Sequence, residues 1–417
     1  MRFASWAAAL GLALLAAVPA ARAADQPPIT IGFDIEETGS LAINGRASLL
    51  AYQIWAAHVN ANGGLLGRQV KLVYYDDQSN PSLVPGIVTK LIDVDHVDYL
   101  LGENGTNMIA PAMPIVMQRN LTFLSVFGLD VNKDFHYQNY FSMIPSGGAN
   151  PAEGLAESYF ELAATLNPKP KTIAMAGADA DFAIHALDGA RALAKKAGLK
   201  IVYDHTYPPT TADYSPIVRA MKATHADLVF VASYPADTVG MVRAVGEVGL
   251  KAEMFGGDMV GLQSTGIREQ LGPLMNGIED YDFWQPVKGF ATPDALQFLK
   301  EYQAKAASAG VDPLGYYLPP FSYSEMQVLQ QAIEGTHSLD QTKLADYMRN
   351  HTFHTIVGDI KFGPNGEWAK ARVLAVQFRG VEGHGLDQFK DVKALVVLWP
   401  PQYKTGDLQA PYSSTKP

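Results

Sequence analysis

The chain has 417 residues, 48% hydrophobic and 18% charged, with a formal net charge of −10 and no cysteine. That length suits two domains rather than one core, and the composition excludes a disordered chain. The acidic balance, with Lys and Arg gathered into no stripe, argues against a nucleic-acid surface, and no disulfide or thiolate chemistry is available.

Residues 1–23 read as a signal peptide. Met1-Arg2 gives a positive start, Ala7 to Val18 is almost wholly Ala, Leu and Gly, and Ala21-Arg22-Ala23 is a small-x-small cleavage site. The alternative, a membrane anchor, needs roughly 20 apolar residues, more than this run provides. A mature chain starting at Ala24 loses Arg2 and Arg22, so its charge goes from −10 to −12. A soluble, exported protein is therefore expected.

Residues 29–77 form one strand–helix–strand unit. Ile29, Ile31, Phe33 and Ile35 alternate with Thr30, Gly32 and Asp34, the period of a strand. Ala47, Leu50, Ile54 and Ala57 then follow helical spacing. Asn60 to Gly64 supplies helix-ending residues, and Val70, Leu72 and Tyr74 alternate again. Such a crossover makes the strands parallel, and ligands collect beyond the carboxyl ends of parallel strands. The same grammar continues through Val97–Leu101 and Thr122–Val126. A Pro/Gly/Ser cluster, Pro145 to Gly148, marks a first domain crossing.

A second alternating series follows, with strands at 172–176, 200–203, 228–231 and 252–255. A further crossing is placed near Glu279 to Pro286. Helices at 293–309, 321–335 and 339–349 are assigned to the first domain. Ile356 to Phe362 and Arg372 to Phe378 read as a hairpin. Ala394 to Leu398 reads as a last strand. The lobes are thus expected at 24–147 with 284–354, and at 148–283 with 355–400, leaving 401–417 as a flexible tail.

The run Asn62-Gly63-Gly64-Leu65-Leu66-Gly67-Arg68, followed by Tyr75-Asp76-Asp77-Gln78-Ser79-Asn80-Pro81, resembles periplasmic solute-binding proteins of the branched-chain (leucine/isoleucine/valine) amino acid type. The resemblance continues at Gly102 to Thr106, at Gly256-Gly257-Asp258 and at Thr355 to Gly366, and covers almost the whole mature chain. It implies an α/β fold of two doubly wound parallel-sheet lobes joined by three crossings. A small-molecule ligand would be clamped between them, and an inner-membrane ABC permease with its ATPase would receive it. The expected protein is a monomer without cofactor or catalysis.

The resemblance also implies site residues. Thr106, four after Gly102, stands where a hydroxyl grips the ligand carboxylate; Thr is equally a common helix N-cap. Asn104 lies in the same loop. Ser125 and Phe127 belong to the next loop, where Leu129 replaces a family Thr and removes the usual α-amino-acid anchor. Ile184 replaces a Tyr, leaving His185 as a polar substitute or a surface residue. Tyr234 could close over the ligand. Asp258 aligns with the acceptor of a ligand ammonium, or caps a helix. Trp284, with Tyr281 and Phe283, clusters at the second crossing and lines the cleft or packs its floor. Asn44-Gly45 replaces a family Tyr-Gly.

The expected ligand is a hydrophobic amino acid or a close analogue. The alternative is an aromatic or other organic acid, amide or urea, favoured by Leu129, Ile184 and the rings. A sensor domain of the same shape and an enzyme are the competing classes; the chain carries no G-x-S-x-G elbow and no dinucleotide fingerprint. His351 and His354 have helical spacing but no evident third metal ligand.

Overall fold

The computed structural model describes residues 26–390 and 393–414. The predicted signal peptide, residues 1–23, lies outside them. Lobe 1 is built on β1 (Ile29–Ile35), β2 (Val70–Asp76), β3 (Tyr99–Asn104), β4 (Phe123–Phe127) and β5 (Tyr140–Ser142), all parallel in the order β2-β1-β3-β4-β5. Ile29, Ile31, Phe33 and Ile35 are fully buried, and Asp34 between them is buried as well. Helices cover both faces of a parallel sheet, so both parities of a central strand go inside. For the same reason the helix Ala42–Ala61 is buried over most of its surface, although Ala57, placed inward by its spacing, is exposed.

Lobe 2 carries β6 (Thr172–Ala178), β7 (Lys200–Tyr207), β8 (Leu228–Ser233), the short β9 (Lys251–Ala252), β10 (Met254–Met259) and β11 (Glu279–Asp282). Its main sheet is parallel, in the order β10-β8-β6-β7. The helices Pro293–Ala309, Leu318–Thr336 and Gln341–Asn350 return to lobe 1. Trp55 Nε1 donates to Gln330 Oε1 at 3.1 Å, Ser322 Oγ to Ser48 Oγ at 2.8 Å, and Thr122 N to Gln341 Oε1 at 2.9 Å.

Three expectations for the last third of the chain are corrected. The hairpin is not 356–362 with 372–378; it is β12 (Thr352–Thr355) with β13 (Gly358–Lys361). It packs on the helix Leu318–Thr336 of lobe 1, so the final crossing comes after it and not at 354/355. The strand β14 (Leu374–Phe378) instead joins β11 and β15 (Leu395–Trp399) in an antiparallel sheet beside β10. Finally, residues 401–414 do not fray. Gln377 exchanges hydrogen bonds with Gln409 at 2.9 and 3.0 Å, and β16 (Tyr412–Ser413) pairs with β9. The Tyr412 ring is 2% exposed and 5.0 Å from that of Phe255.

Two of the crossings lie against each other. Gly148 N donates to Trp368 O, and Arg372 N to Pro145 O, both at 2.7 Å. Gly147 has φ +54°, and a Cβ there would come within 2.6 Å of the Lys370 carbonyl carbon. Only glycine fits this contact.

Candidate functional site

The strands of both lobes point their carboxyl ends at one narrow interlobe cavity of about 30 Å³. Lobe 1 contributes Leu41, Asn44, Asn104, Gly105, Thr106, Phe127 and Leu129. Lobe 2 and the crossings contribute Ile144, Phe182, Tyr234, Val260, Tyr281 and Phe283, and Tyr317 starts a helix of lobe 1. A volume near 30 Å³ holds about two waters, so a guest enters only when the lobes part. A larger interlobe groove of about 510 Å³, with Asp130, His136, Glu153, Asp188 and Glu367 on its walls, is open to solvent and includes none of the anticipated ligand residues.

Four of the eight anticipated residues line the cavity. Thr106 is 2% exposed, and its Oγ1 accepts the Leu129 N–H at 3.0 Å, which leaves the hydroxyl proton free to donate. Gly105, with φ +102°, makes the turn that presents it. Thr106 is not the N-cap: it opens the short helix Thr106–Ile109, and Gly105 holds the cap position. The side-chain amide of Asn104 meets no protein partner among the described residues, and neither does that of Asn44. Phe127 has Phe283, Tyr317 and Phe321 within 5.0–5.3 Å, centroid to centroid. The Tyr234 oxygen accepts from Phe182 N at 3.1 Å, again leaving a free hydroxyl proton.

The other four do not line the cavity. Ser125 is two residues back from the end of β4, and its hydroxyl is engaged by Tyr140 at 2.8 Å. Trp284 is fully buried beside Tyr316 and packs the floor. His185 reaches across the lobes, with Nδ1 2.8 Å from the carbonyl oxygen of Leu129. Asp258 is 2% exposed in β10, and its Oδ2 has no partner. Tyr317 went unnoticed in the sequence, where it precedes a helix and carries no motif. Its hydroxyl lies 2.8 Å from that of Tyr281.

The periplasmic binding protein family model matches residues 28–382. The chain belongs to this family. Among its relatives, a "Leu/Ile/Val-binding protein homolog 8" of Brucella abortus is 25% identical over 383 residues, spanning 89% of this chain and 93% of that protein. Two solved structures share the fold. One is the branched-chain amino acid transporter substrate binding protein LivJ of Streptococcus pneumoniae in complex with isoleucine, with a TM-score of 0.70, 20% identity, and coverage of 89% and 100%. The other is an R. palustris solute binding protein in complex with 4-hydroxybenzoate, with a TM-score of 0.70, 18% identity, and coverage of 85% and 94%. Periplasmic binding proteins of ABC transporters carry small molecules and work with permeases; they are not enzymes. Among the described residues no helix is long and apolar enough to cross a membrane.

In this binding protein the cavity wall is uncharged. Its polar groups are the Asn44 and Asn104 amides and the hydroxyls of Thr106, Tyr234, Tyr281 and Tyr317. Burial holds the Asp258 carboxyl well above the usual carboxylate range. Its charge, if formed, would act on Tyr281 and Tyr317, which stand on the wall where Asp258 does not.

Behind the lobe 1 strand ends lies a group of buried acids: Asp34, Glu36, Asp77, Glu103 and Glu325. Tyr52 donates to Glu325, and both Glu36 oxygens and both Glu103 oxygens lack partners. Burial, then the neighbouring Asp77 charge, pushes Asp34 up to about 8. Burial likewise raises Asp77 to about 6, and Glu36, Glu103 and Glu325 well above their ordinary value. The leading causes are burial and, for all but Glu325, the charges of neighbouring carboxylates. Elsewhere His354 pairs with Asp359 at 2.7 Å and His351 stacks on Tyr347, and among the described residues no cluster of three or more His, Asp or Glu could hold a metal.

Proposed function

We propose that this chain is the periplasmic receptor of an ABC importer for a small aromatic or other apolar monocarboxylate without an α-ammonium. It works as a monomer, exported through the signal peptide 1–23, and delivers its guest to a permease driven by an ATPase. The observation that carries the reading is the uncharged wall. An α-amino acid brings a cation that needs an anionic partner in a dry cleft, and leaving it unpaired costs several kcal/mol. Asp258, the residue expected to serve, is off the wall, and burial works against its charged form. A carboxylate, by contrast, meets the hydroxyl of Thr106 and the amides of Asn44 and Asn104, while Phe127, Phe283 and Tyr317 receive an apolar ring. The 4-hydroxybenzoate complex of one fold neighbour supports this choice.

The names of the relatives and the isoleucine complex favour the second reading, a branched-chain amino acid. A thermal-shift screen decides between them. Ligand at 100 times its Kd adds about 2.7 kcal/mol. Benzoate-type acids should raise the midpoint while leucine, isoleucine and valine leave it in place. Stabilisation by the amino acids alone, abolished in Asp258→Asn, overturns the proposal.

A further inference from the structure

Besides the Tyr281–Tyr317 hydroxyl pair on the cavity wall, side chains cross from one lobe to the other at two further places. His185, on the lobe 2 helix Asp181–Lys196, places Nδ1 2.8 Å from Leu129 O in lobe 1. Leu129 is fully buried, lines the cavity, and gives its N–H to Thr106 Oγ1 at 3.0 Å. The Leu129 backbone is therefore held at its amide by Thr106 and at its carbonyl by the opposite lobe. The second fastening lies along a seam that Asp312 shares with Asn44 and Tyr317 of the cavity wall. There Thr265 of lobe 2 gives both its N–H and its hydroxyl to Asp312, at 2.6 and 2.9 Å. Asp312 belongs to the loop between two lobe 1 helices and also accepts from Leu314 N and Gly315 N at 3.0 and 2.9 Å.

From this geometry we infer that His185–Leu129 and Thr265–Asp312 are paired clasps that hold the lobes shut around the guest, and that His185 is a positioning residue which never touches the guest. The inference rests on the two-lobed binding reading but not on the ligand class. A guest that accepts a hydrogen bond from the Thr106 hydroxyl stiffens the residue that braces Leu129, and so strengthens the grip of His185 from the far side. Loss of one clasp removes a hydrogen bond from the closed state and leaves the open state unchanged. It should therefore act on release more than on capture.

The chain has no native cysteine, so spin labels at Thr89→Cys in lobe 1 and Lys195→Cys in lobe 2 report lobe separation directly. In ligand-free protein, His185→Ala and Thr265→Val should each move the distance distribution toward the open form, and the double variant further. For whichever acid raises the midpoint in the screen, each should speed dissociation about two- to tenfold, the loss of one hydrogen bond, with the association rate nearly unchanged. His185→Asn offers an amide N–H near the position of Nδ1 and should restore the closed population. Distances and dissociation unchanged in His185→Ala would overturn the inference. So would a His185→Asn variant as impaired as the alanine one, which marks a packing role. The ligand-free distances keep this outcome separate from a failure of the ligand assignment.

Discussion

Replacing Asp34 by Asn should flatten the pH dependence of stability. The unfolded chain gives up this proton near the ordinary value of 3.8, whereas the folded chain keeps it to about 8. Between those values the folded state binds the extra proton, so the contribution of Asp34 to stability is full below pH 4 and is lost as pH rises toward 8. From pH 5 to pH 7 the loss runs at about 1.4 kcal/mol per unit, or about 3 kcal/mol from Asp34 alone. Asp77, raised to about 6, adds to it mainly between pH 5 and 6. Urea unfolding of the wild type at pH 5, 6 and 7 should show a falling midpoint. Asp34→Asn keeps the shape and removes the proton, so its decline over the same range should be smaller by about 3 kcal/mol. Parallel pH curves for the two proteins, or wild-type stability that rises from pH 5 to 7, would refute the account of an unneutralised acid group behind the cleft.

Thr106→Val keeps the shape but removes both the donor to the guest and the acceptor for Leu129 N; calorimetric titration should show affinity down about tenfold or more, with about 1–3 kcal/mol of stability lost. Tyr412→Ala should cost about 3 kcal/mol in urea unfolding, because the ring is buried against Phe255; a change within error would mean that the C-terminal segment is not docked. Gly147→Ala should destabilise the protein and slow ligand capture in stopped-flow fluorescence, since its φ of +54° and the nearby Lys370 carbonyl carbon both oppose a side chain.

Lobe 1 was legible because its signals are local. Alternation in Ile29–Ile35, a helix of ordinary spacing and Gly/Asn stops fix each unit within about 50 residues of chain. Thr106 and Phe127 followed, since a strand end in a parallel sheet is a place as well as a residue. The failures came from long-range pairing. β14 finds β11 almost a hundred residues earlier, and nothing in Leu374–Phe378 distinguishes that partner from a neighbouring hairpin strand. Tyr317 joins the wall because a returning helix starts there, which no motif announces. Asp258 was placed near the correct strand end, but it is buried in β10, and the wall there is made by Tyr281 and Tyr317, which come from other elements. His185, expected as a polar contact to the guest or a surface residue, instead meets the opposite lobe's backbone.

The neighbouring crossings 145–148 and 368–372, stitched together by Gly148 N to Trp368 O and Arg372 N to Pro145 O, make a two-ply strap. A single strand of chain can swivel about its own bonds, whereas two laced side by side flex across their width and resist torsion. The jaws are thereby restricted to a door-like swing, so that each time they meet, Leu129 returns opposite His185 and Asp312 opposite Thr265.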